Sequence, residues 1–298
     1  MAAGSDLPPP VGIVLDGCNI THYPSRTSRP AVLLVHGFAA HEGWWDPILP
    51  LLGNRAITTL DLSGHGDSAH REEYSPERWA QDILLAADHV GDVGTLTVIG
   101  HSLGGLCALV AAKNEPDRFR RLVIIDSLLR RPLPECPQRR RGSRRRRPFP
   151  YFETEAEAVE HIRPVPPQPV ADEQVWHVLR QRSVVQEGSH WRLKADWRMF
   201  GVFTDQSVHD YLAGLKSELV LIGGARSPSI DNQAAAYVAE NVGRPVRLTS
   251  IPDAYHHVML DQPECLAATL LHILEGSSLD PPSASPHQAK RAKFNTSF

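Results

Sequence analysis

The chain is sparing with cysteine. Its 298 residues include four, Cys18, Cys107, Cys136 and Cys265, far apart and with no C-x-x-C pair. That spacing excludes a disulfide framework and a thiolate zinc site, and it fits a reducing, cytoplasmic setting. No run of some 18 apolar residues occurs, so no membrane-spanning helix is expected. The opening stretch, MAAGSDLPPP, has neither a basic start nor an apolar segment of the kind a secretory leader needs. Internal repeats are lacking, and the histidines are scattered without metal-ligand spacing, so no metal site is expected.

What is present reads as an ordinary globular composition, 42% hydrophobic and 22% charged. The net charge of −3 is unevenly placed. Residues 130–147 hold nine arginines against one glutamate, a surplus of eight positive charges that leaves the remainder at −11. This segment is flanked by proline, glycine and serine and has no interleaved aromatics, which favours a solvated loop over a nucleic-acid-binding arm. No nucleic-acid partner is expected, and the sequence is silent on oligomeric state.

Short apolar runs alternate with helical patterns. Residues 31–35, 57–60, 96–99, 122–125, 219–222 and 246–251 are strand-like, and the first and fourth are apolar throughout, as strands buried on both faces are. A weak hairpin is expected over 11–15 and 19–23. Helices are expected over 44–52, from Pro76 onward behind a capping Ser75, after Ser102, and over 153–162, 172–182, 232–241 and 263–274. The fold class that follows is α/β, a mainly parallel sheet covered by helices on both faces. The regular alternation breaks after Asp126. Residues 131–169 carry nine prolines, and the pattern resumes only near 219. The expected organisation is a tail at 1–10, a core in two parts (11–127 and 206–275), an inserted and mostly helical cap at 128–205 containing an arginine-rich loop at 139–147, and a second tail at 276–298.

The chemistry concentrates at the carboxyl ends of the strands, where such sheets bind ligands. Gly100-His101-Ser102-Leu103-Gly104 is a G-x-S-x-G sequence between a strand and a helix. It predicts a sharp turn with Ser102 at its apex and the backbone N–H of Leu103 aimed at an oxyanion. A serine hydroxyl needs a base and the base needs an orienting group, and His256, in the loop after the last strand, is the candidate base.

The set as a whole resembles the α/β-hydrolases over roughly residues 11–275. The likeness is carried by the elbow at Ser102, by His36-Gly37-Phe38, by Asp61-Leu62-Ser63-Gly64-His65-Gly66-Asp67-Ser68, and by the His256 loop. The resemblance implies a second oxyanion donor in the N–H of Phe38, a structural role for His65 and a supporting one for His257. It also implies an acid following a late strand. In many relatives this is the aspartate of a G-x-x-D pattern, but Ser227 stands there in this chain. Asp126 is the favoured acid and Asp231 the alternative; either keeps the order serine, acid, histidine. The implied activity is hydrolysis of a carboxylic ester or lactone of a small, largely apolar molecule through an acyl-serine, with no cofactor. Carbon–carbon, amide or perhydrolase chemistry stays open, as does a catalytically weak small-molecule binder. Trp44, Trp176, Trp191, Trp197 and Phe203, with Phe200, are candidates to line the substrate pocket.

Overall fold

The computed structural model describes residues 9–25, 27–90, 93–129, 148–200, 202 and 208–276. The arginine run at 139–147, Phe203 and most of both terminal segments lie outside the described residues.

Among the described residues, ten strands form two sheets. The large one contains β1 (Val11–Leu15), β2 (Cys18–Tyr23), β3 (Val32–Val35), β4 (Ile57–Leu60), β5 (Leu96–His101), β6 (Phe119–Ile125), β9 (Glu218–Gly224) and β10 (Arg247–Ile251). Its spatial order is β1-β2-β4-β3-β5-β6-β9-β10. From β4 to β10 every neighbouring pair is parallel. β1 and β2 add an antiparallel edge, paired Ile13 to Ile20 and then Ile20 to Leu60. The remaining two, β7 (Val184–Glu187) and β8 (His190–Leu193), make a separate hairpin.

The continuous apolar strands are explained by burial on both faces. In β3, Leu33 and Val35 face one core with Trp79 and Ile83, while Val32 and Leu34 face a second core with Trp45 and Ile48. The first core is closed by α1 (Pro76–Val90), α2 (Leu103–Asn114) and α6 (Asn232–Val242). The second is closed by residues 42–52 and by α7 (Val258–Asp261) and α8 (Pro263–Glu275). The helix expected over 44–52 is instead two short 3₁₀ turns, Glu42–Trp45 and Leu49–Leu51. Pro47 and Pro50 lack the N–H groups that a continuous α-helix would need there.

Between β6 and β9, which are neighbours in the sheet, the described chain includes α3 (Glu155–His161), α4 (Glu173–Arg182), the β7–β8 hairpin and α5 (Val208–Leu212). Thr154 starts α3 with a reciprocal capping box to Glu157, and Asp172 caps α4. Several polar contacts tie this segment to the sheet body. Arg182 reaches Asp46 at 2.5 Å and Glu42 at 3.6 Å. Asp196, fully buried, accepts the Tyr74 hydroxyl at 2.8 Å, and its backbone N–H donates to the carbonyl of Gly64.

Candidate active site

Ser102 stands between β5 and α2 with φ 51° and ψ −113°, a left-handed backbone that a non-glycine residue holds only when its surroundings enforce it. Two hydrogen bonds enforce it: its N–H donates to the carbonyl of Ile125 at 2.9 Å, and its own carbonyl accepts the Ser127 hydroxyl at 2.7 Å. Glycine is required on both sides. A Cβ on Gly100 would lie 2.6 Å from the backbone of Gly104, and one on Gly104 would strike the carbonyls of Val35 and His36. The amides of Phe38 and Leu103, the expected oxyanion donors, are engaged by no hydrogen bond among the described residues.

His256 meets Ser102 across 154 positions of sequence. Its Nε2 is 3.1 Å from Ser102 Oγ and its Nδ1 is 2.7 Å from Asp126 Oδ2. With Asp126 ionised, the proton belongs on Nδ1, and the Nε2 lone pair then faces the serine hydroxyl. Asp126 is fully buried, follows β6 and also has a positive φ, 49°. Its Oδ1 accepts the N–H of Gly224 at 3.1 Å, and its Oδ2 accepts the Ser227 hydroxyl at 2.6 Å. A buried carboxylate needs such donors to stay charged. Asp231 is elsewhere employed: its carboxylate accepts the N–H of Ala234 at 2.8 Å and caps α6.

The histidine loop is itself held. His101 lies on β5 and donates its Nε2–H to the carbonyl of His256 at 2.9 Å. From the segment between β6 and β9, Gln168 accepts the N–H of His257 at 3.0 Å and donates to both carboxylate oxygens of Asp261, at 3.0 and 3.1 Å. Asp261 in turn accepts the N–H of Tyr255 at 2.8 Å. Neither Gln168 nor the anchoring role of His101 has a sequence pattern that would announce it.

Histidines near the site are kept neutral. Burial first, and then the neighbouring His256 and His257, hold His101 well below the ordinary imidazole range. Burial and then His256 push His257 down to about 3. His65 is fully buried against the rings of His36, Phe38 and Trp79. The spacing of the histidines concealed one arrangement: His101, His256 and His257 converge, with one ring nitrogen of each within 4.8 Å of the others.

Beside Phe38 and Ala39 opens a pocket with about 890 Å³ of empty space, walled by Trp44, Ile162, Val165, Leu193 and Phe200. Phe200 meets Phe38 edge to face at 4.7 Å. Of the expected lining residues, Trp44 faces this pocket directly. Trp176 instead backs Trp44, ring centres 5.8 Å apart. Trp191 pairs with Phe152 and packs on Ala158, Val159 and Val184, so it serves the small core of the inserted segment. Trp197 carries Arg198 over its ring at 5.3 Å and borders a different cleft, beside Pro148 and Tyr151. A hairpin with little apolar surface of its own needs Trp191 as packing.

A parallel sheet with a strained serine elbow, a histidine on the last loop and a carboxylate behind it defines an α/β-hydrolase. Residues 32–269 match the Alpha/beta hydrolase family, and the chain belongs to that family. Among characterised relatives, it is 28% identical over 258 residues to esterase Rv0045c of Mycobacterium tuberculosis, spanning 83% of this chain and 84% of that protein. It is 33% identical over 100 residues to the pimeloyl-acyl-carrier-protein methyl ester esterase of Neisseria meningitidis, a match spanning 33% of this chain and 37% of that protein. The solved structure of the mycobacterial esterase superposes with a TM-score of 0.72 at 22% identity, covering 90% of this chain and 92% of that one. A second structure of it, reported with that enzyme's transition-metal inhibition, also gives 0.72. The thioesterase domain of the curacin biosynthetic pathway gives 0.70 at 20% identity, covering 90% and 99%.

Proposed function

We propose that this protein is a serine hydrolase that cleaves a carboxylic ester or lactone of a small, largely apolar molecule. The observation that carries the reading is the relay Asp126–His256–Ser102, with contacts of 2.7 and 3.1 Å. His256 Nε2 takes the proton of Ser102 Oγ as that oxygen attacks the substrate carbonyl, and Asp126 stabilises the imidazolium that results. The amides of Phe38 and Leu103 receive the oxyanion, each worth about 3 kcal/mol. Collapse expels the alcohol, which takes its proton from His256, and leaves Ser102 acylated. Water activated by the same imidazole then releases the acid. The apolar pocket walled by Trp44 and Phe200 suits the acyl or alcohol portion. Kinship with two named esterases supports ester chemistry over the carbon–carbon, amide and perhydrolase alternatives.

A fluorophosphonate probe and short p-nitrophenyl esters test the reading with wild type, Ser102→Ala, Asp126→Asn and Asp231→Asn. Labelling and turnover vanish with Ser102→Ala, collapse with Asp126→Asn and persist with Asp231→Asn. Full activity in Ser102→Ala would remove the proposed nucleophile; full activity in Asp126→Asn would move the acid.

A further inference from the structure

The convergence of His101, His256 and His257 exceeds what the proposed relay uses. All three rings are buried, and their centres lie 4.8, 5.0 and 5.7 Å apart. His101 spends its N–H on the carbonyl of His256, so its Nδ1 carries the lone pair, and that atom is buried without a hydrogen-bond partner. His257 has both ring nitrogens buried and unpartnered. His256 directs Nδ1 to Asp126, which leaves a lone pair on Nε2. His101 and His257 thus bring buried ring nitrogens with nothing to satisfy them beside His256, one nitrogen of each ring within 4.8 Å of the others.

We propose that His101, His256 and His257 form a binding site for a divalent transition-metal ion, and that the bound ion withholds His256 from Ser102. Three imidazole donors suit zinc, copper or nickel; magnesium and calcium want oxygen ligands, which this cluster does not offer. The surroundings are those of a built ligand set. Metal-binding histidines commonly donate their second nitrogen to a carboxylate or a backbone carbonyl, which orients the ring. His256 does so to Asp126 and His101 to the carbonyl of His256. Zinc–nitrogen bonds of about 2.1 Å place two ligand atoms at most about 4.2 Å apart. The present outer limit of 4.8 Å therefore closes by modest rotation of the His257 ring, whose nitrogens hold no hydrogen bond, while its backbone stays fixed by Gln168, Leu260 and Asp261. Coordination consumes the Nε2 lone pair that would accept the serine proton. The inhibitory half rests on the proposed role of Ser102 and His256; the binding half does not.

Isothermal calorimetry of the full chain with zinc chloride, and with magnesium chloride as control, tests the binding. Wild type takes up one zinc ion per chain and ignores magnesium. His257→Phe, which keeps a ring against Trp44, and His101→Gln each weaken zinc by at least the ~10–100-fold that loss of even an outer partner costs. Circular dichroism of both variants verifies that they are folded. In wild type, zinc slows fluorophosphonate labelling of Ser102, and a chelator restores it. Equal zinc affinity in wild type and both folded variants, or no zinc uptake at millimolar concentration, would overturn the site. Zinc bound at this cluster with labelling undiminished would overturn the inhibition. Failure of the hydrolase reading is seen separately, as metal-free wild type that does not label at all.

Discussion

Ser227 stands where many α/β-hydrolases carry the acid, yet its hydroxyl donates to Asp126 Oδ2, the same oxygen that accepts His256 Nδ1–H. A polar group thus stands at that position, and a carboxylate lies within hydrogen-bond reach of it. A hydrogen bond to a buried carboxylate contributes about 1.5–3 kcal/mol. Ser227→Ala should therefore lower kcat for p-nitrophenyl esters by roughly 10-fold, the bond being lost from the charged partner of the relay. Ser227→Thr, which retains the hydroxyl, should be much milder. Asp126→Asn should cost on the order of 10⁴ in kcat, because the amide favours the wrong imidazole tautomer. Adding Ser227→Asp to Asp126→Asn returns a carboxylate within reach of His256 and should recover part of that loss. A double variant as inactive as the single one would show that position 227 cannot address the imidazole.

At the scale of elements, the histidine loop is stationed by a residue from the segment between β6 and β9. Gln168 accepts from the backbone of His257 and donates to Asp261, so its amide joins the inserted segment to the loop. Gln168→Glu turns a donor into a charge facing the Asp261 carboxylate, and should loosen the loop more than Gln168→Ala does. Hydrogen exchange of residues 252–262 should rise in the order wild type, Ala, Glu, with esterase kcat falling in the same order. None of this could be read from sequence, since the partners are about 90 positions apart and a glutamine carries no pattern. The strands could be read, because burial on both faces writes itself as unbroken runs such as Leu122-Val123-Ile124-Ile125. So could the elbow, whose glycines are dictated by backbone contact. The choice between Asp126 and Asp231 was open because both follow strands in the required order. The proposal of Asp126 rests on its contact with His256, whereas Asp231 accepts the N–H of Ala234, and a capping aspartate looks the same in sequence as a proposed relay acid. Trp191 and Trp197 lie away from the pocket that Trp44 walls, which sequence hides for a related reason: aromatic content marks packing as readily as it marks a pocket.

Among the described residues, five buried histidines share one electrostatic condition, and half-buried His22 is lowered by burial as well. His36, His41, His65, His101 and His257 are buried, and burial is the first cause holding each below its ordinary value, His41 at about 4 and His257 at about 3. Each is lowered in the folded state, so below about pH 6.5 the unfolded chain binds protons that the folded chain refuses. The stabilisation is complete above that pH and fades as pH falls toward the folded values, by at most about 1.4 kcal/mol per pH unit for each group. With five groups acting in one window, the urea midpoint should hold level from pH 8 to 7 and fall steeply between about pH 6.5 and 5, above the range in which ordinary carboxylates protonate. His257→Phe removes one of these groups and should flatten that fall, because it deletes a proton-binding site from the unfolded state. A midpoint that stays level to pH 5, or a variant whose slope matches wild type, would mean that these imidazoles are protonated in the folded protein.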